Sequence, residues 1–408
     1  MNGKLYPLHT EGPDLIFGFS TIYFGLLSIA SILVFLIYKR NGTLPKIGEP
    51  YYDIFVLAFG LWWLGGLFID AFAHISGVVD DTFFTPWHAI WYSGATAYGA
   101  YIFYAILPEE GLWSLVRNPL KTLREVSPEH RPGVYGIILF GLSGFSDMIW
   151  HETLGVETSV DILLSPTHIG LFIGLMMAVT APMWSAWADK KSGRDGLKSQ
   201  ILIIFGLGAA WVATVLITLY ANIWFEPLQA FCYDGGGTYC LSETYDLALT
   251  YGMRALLVQA GVSSVMVLFF IRRWMPARGS LFILFLFPAT AIWVYSEFNN
   301  ALLFMGIVWA IVVELILPIL RRGLKRMFVS LVAASQVVVF TASWWWRSEQ
   351  WTTNTYWLEG TNLHVLPFGW TIHATIGAIV MCTIIGLIAS IVAFPPPIPD
   401  LGDEEIVS

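Results

Sequence analysis

Charged residues are scarce in this chain. Asp, Glu, Lys and Arg together make up 12% of its 408 residues, about half the share of a soluble domain. Hydrophobic residues fill 56% of it, and the mean hydropathy is +0.67. Those values exclude an ordinary water-soluble fold. The period-two alternation of a membrane β-barrel is missing as well. There is no G-x4-G-K-[ST] phosphate loop, no G-x-S-x-G elbow and no basic face for nucleic acid. Cysteine is limited to three residues. Cys232 and Cys240 flank "YDGGGTY" and are candidates for one disulfide on an oxidising face, with two free thiols as the alternative. Cys382 lies in an apolar run and reads as inert core.

What the chain has is apolar length. Runs long enough to cross a bilayer recur at 14–38, 52–77, 84–107, 133–153, 162–187, 201–226, 245–271, 279–297, 300–320, 327–346 and 368–394. They predict an all-α, polytopic transmembrane bundle of about 11 spans. The first run ends in Lys39-Arg40 and is too long for a signal-peptide core, so it reads as an anchor. The whole, 1–408, reads as one integral membrane domain. It comprises hairpins at 52–107 and 133–187, a C-terminal bundle at 201–394 and an acidic tail at 395–408.

Lys and Arg are scarce in alternate loops; 18 of the 21 fall in the others. They follow spans 1 (Lys39, Arg40, Lys46), 3 (Arg117, Lys121, Arg124, Arg131), 5 (Lys190, Lys191, Arg194, Lys198), 7 (Arg272, Arg273, Arg278) and 9 (Arg321, Arg322, Lys325, Arg326). That places the N-terminus outside and the C-terminus in the cytoplasm of a multi-pass protein. A prokaryotic plasma membrane is its expected location. Trp344, Trp345 and Trp346 then fall at the outer interface, as an aromatic belt would.

Against this background "DAFAHISGVVDDTFFTPWH", from Asp70 to His88, is unusual, and it is repeated as "DMIWHETLGVETSVDILLSPTH" from Asp147 to His168. Asp70 aligns with Asp147, His74 with His151, Asp80 or Asp81 with Asp161, Thr85-Pro86 with Ser165-Pro166, His88 with His168, and Gly94 with Gly174. The pattern is a tandem two-helix hairpin. Asp-x3-His puts both side chains on one helix face, and Thr85 stands where an N-cap belongs, ahead of Pro86 in the first turn. Six of the eight histidines (His74, His88, His151, His168, His364, His373) fall at the expected outer boundary, and His9 on the outer tail. His130, in "PEHRPG", is expected to be a solvated loop residue.

Neutral imidazoles with a carboxylate form a metal-ligand set suited to copper, zinc or iron. The expected ligands are Asp70, His74, His88, Asp147, His151 and His168, with Asp81, Asp161, His364 and His373 as possible additions. An Asp–His ion pair at the interface is the plainer alternative. Haem fits poorly because Gly77, the acidic run and Pro86 break the helix between His74 and His88. Arg254, Glu297 and Glu314 also lie in or near spans. Interhelical ion pairing is the favoured reading for them, and a proton path the alternative.

The Asp-x3-His…His hairpin resembles the ligand set of the C subunit of the copper-dependent membrane monooxygenases, the particulate methane and ammonia monooxygenases. The likeness covers only the two hairpins. The pattern ending "DTFFTPWH" is also similar to uncharacterised multi-pass membrane proteins of bacteria and archaea. The first resemblance implies copper at the two Asp/His sets and oxidation of a small apolar substrate by O2. The chain would act alone or as a subunit beside other membrane subunits and an electron donor. A copper transporter or terminal-oxidase assembly factor without catalytic activity is the alternative, and a metal that merely staples the hairpins is a third reading.

Overall fold

The computed structural model describes residues 13–75, 84–155, 165–222, 239–240, 242–296, 298–347, 356–358, 360–366 and 369–395. Among them the fold is helical. The helices are α1 (Pro13–Asn41), α2 (Tyr52–Ile75), α3 (Pro86–Ile106), the short α4 (Leu112–Arg117) and α5 (Pro119–Glu125), α6 (Arg131–Leu154), α7 (Pro166–Ala188), α8 (Ile201–Ile217), α9 (Ser242–Arg273), α10 (Ser280–Tyr295), α11 (Asn300–Arg321), α12 (Lys325–Arg347) and α13 (Ile372–Ala393). A small sheet joins β1 (Tyr239–Cys240), β2 (Tyr356–Leu358) and β3 (His364–Val365) in that order. Nine of the described helices are long and apolar enough to cross a membrane, and α10 is a shorter apolar helix. The chain is a multi-pass α-helical membrane protein.

Each expected span contains a described helix, but α3 is not among the nine long and apolar enough to cross, and one helix ends well short of its span. The segment drawn to residue 226 leaves the α-helix at Ile217. Beyond it the backbone tightens into a 3-10 turn, with Ala221 N–H bonded to the Thr218 carbonyl at 2.9 Å. The Thr218 hydroxyl accepts from Gln259 Nε2 at 3.3 Å, so polar side chains end the helix before its apolar run is spent.

The chain divides into two compact units. Residues 1–217 with 283–306 form one, and 218–282 with 307–408 the other. In the first, α2 packs on α3 and α6 on α7 as two hairpins, with α1 against α3 and α8 against α7. The hairpins share one construction. Thr85 Oγ1 accepts the His88 N–H at 3.2 Å and Ser165 Oγ the His168 N–H at 3.3 Å, each with proline opening the helix. Within each hairpin a glycine lets the backbones touch. A Cβ on Gly94 would stand 2.6 Å from Trp63 Cα, and one on Gly174 2.7 Å from Phe140 N. Trp63 and Phe140 each precede their hairpin's aspartate by seven residues, so the two helix pairs cross in the same register.

In the second unit α9, α12 and α13 pack together. Buried Gln336 donates to the Leu256 carbonyl at 3.0 Å, an interhelical bond of the kind that positions helices in hydrocarbon. Glu314 accepts the backbone N–H of Gly279 at 2.8 Å and of Phe282 at 3.2 Å. It supplies acceptors at the start of α10, where helix N–H groups have no partner of their own. That cap replaces the ion pair favoured from the sequence. Glu314→Ala is expected to destabilise the protein by about 1–3 kcal/mol, and Glu314→Gln by less, in thermal unfolding in detergent.

Candidate metal centre

The second hairpin assembles its three expected ligands. Asp147 and His151 lie one turn apart on α6, and His168 enters from the first turn of α7. Asp147 is 5% exposed. Its Oδ1 is 3.4 Å from His151 Nε2 and 3.6 Å from His168 Nε2. One ligand atom from each residue lies within 4.8 Å of the others.

Two hydroxyls on the same turn order this cluster. Thr167 Oγ1 donates to Asp147 Oδ1 at 2.6 Å, the only direction an ionised carboxylate permits. Thr167 Oγ1 is then left to accept from Ser165 Oγ, 3.3 Å away. The Ser165 hydroxyl accepts the His168 N–H and lies 2.6 Å from His168 Nδ1. Where it also accepts from Nδ1, neutral His168 keeps its lone pair on Nε2, the nitrogen facing Asp147; where it donates to Nδ1, Nε2–H faces Asp147 as a plain Asp–His pair. An imidazole lone pair and a carboxylate oxygen repel one another unless a cation sits among them. Metal-ligating histidines characteristically give their second ring N–H to such an outer acceptor. The donor set therefore fits a metal ion of the borderline class.

The first hairpin repeats the core of this arrangement. Asp70, 5% exposed, places Oδ1 3.4 Å from His88 Nε2, matching the Asp147–His168 approach. His74 lies on α2 one turn beyond Asp70, with its side chain outside the described part. Trp87 stands where the second hairpin has Thr167, so the hydroxyl relay belongs to the second copy. Tyr92, one turn below His88, holds its ring 5.9 Å from the imidazole and reaches α6, where a Cβ on Gly144 would lie 3.8 Å from its hydroxyl.

Among the described residues, no other group of three His, Cys, Asp or Glu side chains converges as these do. Asp81, Asp161, Cys232, Glu297 and His9 lie outside the described residues, as do the Cys240 side chain and the rings of Trp344 to Trp346. His364 sits on β3 with its ring 3.8 Å from that of Trp357, and His373 is exposed on the first turn of α13. Arg254 lies 4.7 Å from the Tyr251 ring, a cation–π contact.

No known protein family, curated protein sequence or solved structure matches this chain. The site therefore rests on its own geometry.

His130 corrects a sequence expectation. It is 6% exposed, not solvated. Its Nδ1 is 2.8 Å from Ser127 Oγ, its Nε2 is 3.6 Å from Asp53 Oδ1, and Tyr52 stands edge-on at 5.2 Å. Ser185 Oγ donates to Asp53 Oδ2 at 2.6 Å. This polar knot ties the start of α2, the start of α6 and the end of α7. Asp53 and Asp70 are about 25 Å apart along α2, so the knot fastens the hairpin helices at the end remote from the Asp/His clusters. A local Ser-x2-His turn followed by proline gave no sign that a second helix would cover it.

Proposed function

We propose that this chain is a copper-binding membrane protein that oxidises a small apolar molecule with O2, alone or as the metal-bearing subunit of a copper membrane monooxygenase-like complex. The reading takes the chain to span the membrane eleven times, with the N-terminus outside, so that both Asp/His clusters lie near the outer face of a prokaryotic plasma membrane. The observation that carries it is the convergence of Asp147, His151 and His168 within 4.8 Å, with Thr167 donating to Asp147 and Ser165 beside His168 Nδ1.

The roles follow from that geometry. Asp147, His151 and His168 would hold the metal. Asp70 and His88, with His74 from the next turn, would hold a second. Thr167 and Ser165 orient Asp147 and His168. Copper, when bound, supplies one-electron chemistry with dioxygen. Inserting one oxygen atom into a C–H bond while the other leaves as water consumes two electrons and two protons beyond the substrate's own. A donor protein or quinol must supply them. A site at the bilayer boundary receives O2 and apolar substrates from the lipid, where both concentrate.

Metal analysis of the purified chain tests this. Copper is expected in the wild type and is expected to be lost in the Asp70→Ala, Asp147→Ala double variant. Equal metal content in the two proteins would refute the site. Bound copper without O2 consumption, with any reductant and apolar substrate, would assign the chain to copper transport or oxidase assembly.

A further inference from the structure

The helices α4 and α5 bridge the two hairpins, and their surface has a composition that the metal reading leaves unused. Leu112, Trp113, Val116 and Leu120 are 50%, 74%, 59% and 67% exposed. No residue of α4 is buried, and only Thr122 is buried in α5. Leu112 and Val116 lie one turn apart on α4, and Leu120 on α5, past the break at Asn118. Arg117, Lys121 and Arg124 are exposed beside them, Lys121 and Arg124 one turn apart on α5. Short helices that expose apolar and basic side chains together have the composition of a membrane-interface segment.

The segment is also held at the level where a bilayer surface lies. It leaves the end of α3 at Ile106 and re-enters the bundle at the start of α6. At one end Lys46 Nζ donates to the Leu107 carbonyl at 3.2 Å. At the other, Arg131 Nε donates to the Val126 carbonyl at 2.9 Å and its Nη2 to the Arg124 carbonyl at 3.0 Å. Arg131 is thus committed to backbone. Among the described residues, Arg117 and Arg124 have no carboxylate partner, and Lys121 pairs only with the exposed Glu125 at 3.7 Å, a weak competitor. Glu109 and Glu110 precede α4, before Gly111 turns the chain.

We propose that α4–α5 is an anionic-lipid-binding surface. Leu112, Trp113, Val116 and Leu120 enter the acyl boundary of the Lys/Arg-rich leaflet, and Arg117, Lys121 and Arg124 bind phospholipid phosphates. The charge of the segment selects lipid over a protein partner, because apolar residues rimmed by basic ones at bilayer level match an anionic headgroup layer. The binding orders the connection between the two hairpins.

The test is amide hydrogen exchange of the full chain in nanodiscs of phosphatidylcholine alone and of phosphatidylcholine with phosphatidylglycerol. Exchange across 112–125 is expected to slow about fivefold or more in the anionic discs, given the attraction of each basic residue to an anionic surface. The Arg117→Gln, Lys121→Gln, Arg124→Gln variant is expected to lose that difference while the Asp/His hairpins exchange as before. Equal exchange of the wild-type segment in both lipids would overturn the proposal, and that comparison stands even if the variant fails to fold. A segment that exchanges rapidly in both lipids would point to a protein partner instead.

Discussion

Asp147→Ala is expected to remove metal from the second hairpin and, with it, that hairpin's metal-dependent thermal stabilisation. The carboxylate is buried and its Oδ1 faces the Nε2 of both imidazoles, so its removal takes away the oxygen ligand they share. Saturating metal at about 100 times its Kd stabilises a folded site by about 2.7 kcal/mol. That increment should vanish in the variant. Thr167→Val keeps the ligands and removes only the proton that Thr167 gives Asp147. Loss of such an outer partner weakens metal by about 10–100-fold. Thr167→Ser restores the hydroxyl and should restore affinity. Chelator competition on the second site, with Asp70→Ala silencing the first, reads both effects. If Thr167→Val binds metal as tightly as wild type, the relay does not order the site.

Much of this site was legible as spacing. Asp-x3-His fixes two side chains on one helix face whatever the packing, and Ser/Thr-Pro-x-His fixes the start of the next helix through the cap. Convergence of the two ends was not legible in one copy. It followed from finding the same residues twice in an apolar chain. Thr167 escaped notice because one hydroxyl in "SPTH" carries no pattern, and its partner Asp147 lies 20 residues away. His130 was misjudged for a related reason. Its neighbours Asp53 and Tyr52 come from α2, and tertiary partners leave no trace in local composition. Glu314 shows the same limit. A carboxylate in a span invites a cationic partner, whereas here backbone N–H groups at the start of α10 take that place. The helices themselves needed only hydropathy, and their ends shifted where polar side chains such as Thr218 and Gln259 intervened.

The repeated glycines provide a way to disable the hairpins one at a time. A methyl at Gly94 would lie 2.6 Å from Trp63 Cα, and one at Gly174 would lie 2.7 Å from Phe140 N and 2.8 Å from the Gly136 carbonyl. The obstacle in each case is backbone, which no rotamer change relieves, so the helices must separate. The hairpins also exchange the smaller partner at a second crossing. Gly66 faces the Trp91 backbone in the first, and in the second Gly170 faces Ser143, which occupies the position of Gly66. Close approach is therefore a property of both pairs, kept by a glycine on whichever helix carries it. Overpacking of this kind costs about 1–3 kcal/mol. It also has a local consequence. Gly94 lies six residues from His88, and Trp63 seven from Asp70. Spreading α2 from α3 there moves Asp70 off His88, whose atoms now meet at 3.4 Å. Gly94→Ala is expected to lose the metal of the first cluster and keep that of the second, and Gly174→Ala to do the reverse. The two variants should lower the unfolding temperature by similar amounts, which sets the metal pattern apart from general instability. Loss of both metals from either variant would mean that the hairpins form one joint centre.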